Sequence, residues 1–128
     1  MATRVFYSNW QLQCCGAAFA VGDVVSWTAV AAEGELDDQF GADEEPIEWL
    51  EEHHHESAEE VTTLGGTVVN IRALWQRHEQ SARESNVINR VPGDVVGADL
   101  SAADGWESNG SHPEHPDHSF IGYVVTLD

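Results

Sequence analysis

The run FAVGDVVSWTAV, Phe19 to Val30, decides the fold class. Gly22-Asp23 reads as a tight turn, because glycine reaches backbone conformations closed to other residues and aspartate favours turns. Beyond the turn, Val25, Trp27 and Ala29 fall on one face of an extended chain, with Val24, Ser26, Thr28 and Val30 on the other. Alternation of this kind, rich in β-branched and aromatic residues, is the mark of a half-buried strand.

The same period recurs on both sides. In GGTVVNIRALW, Gly65 to Trp75, the residues Val69, Ile71, Ala73 and Trp75 alternate with Val68, Asn70, Arg72 and Leu74. In SFIGYVVTL, Ser119 to Leu127, one face carries Ile121, Tyr123, Val125 and Leu127. Shorter strands are predicted for Asn86 to Val91, closed by Pro92-Gly93, and near Val95 and Val96. NWQLQCC, Asn9 to Cys15, also reads as extended, with Trp10, Leu12 and Cys14 opposite Gln11, Gln13 and Cys15. Five or six short strands joined by glycine-rich turns predict a mainly β protein, a small barrel. At 128 residues the chain is the size of one domain, 1–128. Trp27 and Trp75 are expected to fill the barrel, and Trp49 and Trp106 to anchor what lies across it.

One segment breaks the pattern. From Glu33 to Glu60 there are 13 acidic residues and no basic one, within an insertion at about 33–63. Its centre, DEEPIEWLEEHHHESAEEV, spaces Ile47, Leu50, His54, Ala58 and Val61 by three or four residues, with acids and Pro46 at the front. That spacing predicts one short helix, packed through Ile47, Trp49 and Leu50. A second irregular stretch, at about 101–118, holds the turn Asp104-Gly105-Trp106 and the His/Pro loop SHPEHPDHS.

Charge narrows the partners. The formal net charge is −18, with five arginines and no lysine. Such a field repels phosphate backbones and anionic lipid headgroups, so direct nucleic-acid and membrane binding are not expected. It attracts proteins with basic surfaces. The opening MATRVFYSNWQLQCC lacks the apolar core and cleavage site of a signal peptide, and no run suits a membrane span, so a cytoplasmic protein is expected. Reduced thiols follow from that compartment.

Two groups of residues are candidate metal ligands. Cys14 and Cys15, with His53, His54 and His55, supply the thiolates and imidazoles that zinc prefers. Adjacent cysteines rarely converge on one ion, and strand alternation points the two apart unless Gly16 turns the chain. The alternative reading makes Cys14 a small core residue and His54 a cap on an apolar stripe. The second group is His112, His115 and His118, spaced by three. A polyproline II conformation would align the rings but set successive ones about 9 Å apart, so a single ion reaches all three only if the loop bends.

No catalytic motif is present. The chain has no G-x-S-x-G, phosphate-binding loop, dinucleotide fingerprint or H-E-x-x-H. The residues favour a non-enzymatic binding module with a structural metal. An acidic inhibitor or DNA mimic is the second reading, and a small metal-dependent enzyme the third.

Two resemblances add to this. F-x-V-G-D-x-V-x-W at Phe19 to Trp27, followed by G-T-V-x-x-I at Gly66 to Ile71, resembles the opening strands of SH3-like small barrels, including Tudor and KOW modules. The succession CCG, VGDVVSW, EEHHH, GTVVNI, DGW and IGYVVTLD resembles a family of small acidic proteins of unknown function from high-GC Gram-positive bacteria. That resemblance implies no activity and assigns no catalytic residue.

Overall fold

The computed structural model describes residues 3–32, 47–51, 62–80, 88–107 and 112–128. Eight strands and one helix follow in the order β1 (Thr3–Ser8), α1 (Asn9–Cys15), β2 (Phe19–Ala20), β3 (Val24–Ala31), β4 (Trp49–Glu51), β5 (Thr62–Gln80), β6 (Ile88–Leu100), β7 (Ala102–Ala103) and β8 (His118–Leu127). The protein is mainly β, as the alternation predicts, with one short helix among the described residues.

Six strands form one sheet in the order β3-β4-β1-β8-β5-β6. The sheet rolls far enough for β3 to pair with β5 as well as β4, while β6 continues beyond that seam. β5 makes the roll possible by its length of 19 residues. Its first part, Thr62 to Thr67, pairs with β3, and Val68 to Arg77 pairs with β8. β2 and β7 form a separate small ribbon.

Three departures from strict alternation have local causes. The register of β5 against β8 shifts between Val68 and Asn70, which buries Val68 and leaves Val69 exposed. A second shift opposite Gly122 puts Ile121 on the face of Val124, while Tyr123, Val125 and Leu127 stay together on the other. In β6 the chain runs straight through Pro92-Gly93, because a third shift, between Gln76 and His78, accommodates the extra residues. Gly93 there takes a φ of 79°. Bulges let a strand carry proline and re-aim its side chains without ending.

The only helix among the described residues lies where an extended run is predicted. Its amides explain the choice. Asn9 Nδ2 donates to the backbone carbonyl of Phe120 at 3.1 Å, Gln11 Nε2 to that of Glu51 at 2.9 Å, and Gln13 Nε2 to that of Gly105 at 2.6 Å. The helical turn sends three polar side chains to three separate elements and buries Leu12. Conversely, Trp49–Glu51 is a strand and not part of a helix: it fills the gap between β1, which it joins in parallel, and β3, which it joins antiparallel. Residues 43–46 and 52–61 of the predicted helix lie outside the described residues.

Side chains pack on both faces of the sheet. Val5, Tyr7, Leu12, Phe19, Ile71 and Trp75 belong to the larger cluster, with Trp27 and Trp49 partly buried against it. Phe6, Ile47, Leu74, Ile121 and Val124 form the smaller one on the opposite face. Trp75 is a core residue as predicted, whereas Trp106 is 62% exposed.

Candidate functional site

A cleft of about 490 Å³ opens where β1, β3, β4 and the chain after α1 meet. Three aromatic rings shape it. Tyr7 meets Trp27 edge-on, with centroids 5.0 Å apart at 90°, and Phe19 meets Trp27 at 4.9 Å and 65°. The strand pattern places them: Tyr7 comes from the inner face of β1, Trp27 from the inner face of β3, and Phe19 opens β2. Tyr7 and Phe19 are buried, and the partly exposed Trp27 gives the cleft its accessible aromatic wall.

Gly16 sets the mouth. A methyl group there would run into the Tyr7 hydroxyl and the Leu12 side chain, so only glycine lets the chain leaving α1 pass so close to the phenol.

Carboxylates complete the site. Glu51, 3% exposed, lines the cleft from β4, and Asp23 lines it from the turn before β3. Burial, and then the negative charge of Glu51, hold the Tyr7 phenol well above its usual range. Tyr7 is therefore a neutral hydroxyl at physiological pH, unsuited to act as a base. An aromatic corner beside carboxylates is a setting for a positive charge, since a ring face carries negative potential.

The histidine loop takes a different form. It bends, as three-way contact requires: His112 N–H donates to the His118 carbonyl at 3.1 Å and His118 N–H to that of His115 at 2.9 Å. The rings form a tilted column with centroids 4.9 Å apart for His112 and His115 and 5.2 Å for His115 and His118. Trp75 caps its inner end, 5.0 Å from His112.

His118 is committed at both nitrogens. Nδ1 lies 2.9 Å from Asp117 Oδ1 and Nε2 lies 2.9 Å from Asp94 Oδ1. Arg77 reaches the same two carboxylates at 3.2 and 3.5 Å. Burial works to lower the His118 pKa, but the hydrogen bonds and charges of Asp117 and Asp94 outweigh it and leave the value raised. Only the protonated ring donates from both nitrogens, so the geometry is that of an imidazolium. His112 Nδ1 accepts the Glu114 N–H at 3.1 Å. Among the described residues, no group of three or more His, Cys, Asp or Glu side chains is placed to hold a metal ion.

Cys14 and Cys15 close α1, so neither is in the extended conformation expected for them. Their side chains, and all of His53, His54 and His55, lie outside the described residues. The one serine–histidine contact of interest, Ser119 Oγ to His78 Nδ1 at 2.9 Å, has no carboxylate on the other ring nitrogen among the described residues. A nucleophile is normally activated by an oriented base, and this pair lacks the orienting group. No described helix is long and apolar enough to cross a membrane.

The alternating pattern marks Phe19 and Trp27 as residues of the fold and assigns Tyr7 no role. Nothing in the local pattern of β1 reveals that its phenol faces a cleft, because the opposing walls come from β3 and β4, far along the chain.

The fold and the cleft together define a small, mainly β protein with a ligand-sized recess. A family model matches residues 1–128, and the chain belongs to that family, described as a family of unknown function (DUF6578). No curated protein and no solved structure matches the chain.

Proposed function

We propose that the protein is a non-enzymatic binding module whose cleft takes up a cationic group of a basic partner protein. The observation that carries this is the corner of Tyr7, Phe19 and Trp27 opening beside Glu51 and Asp23. Its volume of about 490 Å³ is in the range of ligand-binding recesses. A cation over the Trp27 face gains about 1–2 kcal/mol when partly desolvated, and carboxylates nearby add directional attraction. A net charge of −18 raises the local concentration of positive groups.

The test uses N-acetyl-arginine methylamide and its neutral isostere, the citrulline derivative, followed by calorimetry. The cation is expected to bind and the isostere not. Trp27→Leu should weaken cation binding roughly 5- to 30-fold, the equivalent of losing about 1–2 kcal/mol. Equal binding of both probes, or no effect of the substitution, contradicts the reading.

A further inference from the structure

A second recess of about 310 Å³ adjoins the cleft, sharing Ala18, Phe19 and Asp23 with it. Joined at these residues, the two make one groove. The walls of the second recess differ from those of the first. It is lined by Ala18 and by the β2–β7 ribbon, where Phe19 pairs with Ala103 and Ala20 with Ala102, so its uncharged lining is mostly alanine. Its far rim is acidic, formed by Asp104 and Glu107.

Each groove carboxylate other than Glu51 uses one oxygen within the protein. Asp23 Oδ2 accepts the Ala20 N–H at 2.9 Å, Asp104 Oδ1 the Trp106 N–H at 2.9 Å, and Glu107 Oε1 the Tyr123 hydroxyl at 3.2 Å. The other oxygens of these three have no partner among the described residues. The arginine ion pairs lie elsewhere, Arg72 with Asp99 and Arg77 with Asp94 and Asp117. The rim is thus held by hydrogen bonds within the protein while its charge stays uncompensated. A fixed, unpaired carboxylate rim beside a methyl-lined floor suits the alkyl stem and charged head of a second basic side chain.

We infer that the groove binds an extended peptide segment carrying two cationic side chains, the first against Trp27 and the second against Asp104 and Glu107. This deepens the proposed function and rests on it. An extended chain advances about 3.3 Å per residue, so the two side chains belong to residues a few positions apart.

The experiment titrates the full chain with glycine peptides holding one arginine, or two arginines separated by one, two or three glycines. At the best spacing the two-arginine peptide is expected to bind at least tenfold tighter than the one-arginine peptide. The double variant Asp104→Asn with Glu107→Gln keeps both internal hydrogen-bond acceptors, and its near-ultraviolet circular dichroism shows whether the fold is intact. It should abolish that advantage and leave one-arginine binding unchanged. If no spacing binds tighter than one arginine, or if the double variant keeps the advantage, the second subsite is refuted while the cation cleft stands. If the one-arginine peptide itself fails to bind, the cleft reading falls, and this inference with it.

Discussion

Gly122 shows how much one residue without a side chain can decide. It stands in β8 opposite Ser8 with a φ of 149°, and a methyl group there would press on the Tyr7 carbonyl, the Phe6 ring and the Ser8 Cα. Two of those neighbours are backbone and cannot swing away. Gly122→Ala should therefore cost about 1–3 kcal/mol of stability in urea unfolding, the usual penalty for overpacking. Gly97 is the control: the three atoms nearest a methyl group there all belong to the Arg72 guanidinium, the far end of a flexible side chain, so Gly97→Ala should stay within about 1 kcal/mol. Equal losses at the two positions would contradict the packing described for β1 and β8.

The His112–His118 turn is fastened to the sheet mainly by electrostatics, and that makes it sensitive to pH. His118 faces Asp94 from β6, Asp117 beside it, Arg77 from β5 and the ring of His115. Its pKa is raised in the folded protein, so its stabilising contribution is fully present below the unfolded value of about 6.5 and is lost as pH rises through the folded value. Stability should fall as pH rises above about 6.5, and His118→Gln should flatten that part of the profile. Denaturant melts across the range, with NMR titration of the His118 ring, measure both. A His118 ring that titrates at or below the unfolded value would contradict the two-carboxylate clamp.

How far such elements could be read in advance depended on what fixed them. The strands β3, β5 and β8 were legible because long alternating runs have no helical counterpart. α1 was not, since six or seven residues with apolar groups at every second position fit either period, and its conformation is set by Asn9, Gln11 and Gln13 reaching partners more than 40 positions away or close to it. The bulges at Val69 and Ile121 were equally hidden, because they depend on pairing across strands. Of the site, F-x-V-G-D-x-V-x-W carried Phe19, Asp23 and Trp27, while Tyr7 and Glu51 became visible only when β4 was seated between β1 and β3.

At the scale of the whole molecule, a net charge of −18 surrounds a groove that has aromatic walls at one end and an acidic rim at the other. Long-range attraction of this kind is screened by salt, with a Debye length of about 8 Å at physiological ionic strength. Association with an arginine peptide should therefore weaken steadily with added salt, whereas the contact with Trp27, being short-range, persists as a residual affinity. Complete loss at moderate salt would mean that binding is diffuse charge attraction with no cleft behind it. The most direct test of the central claim is amide and indole NMR of the full chain titrated with the one-arginine peptide. The account predicts shifts concentrated at Tyr7, Phe19, Asp23, Trp27 and Glu51, with His112 to His118 unmoved. Shifts spread evenly over the acidic surface, or centred away from Trp27, would contradict it.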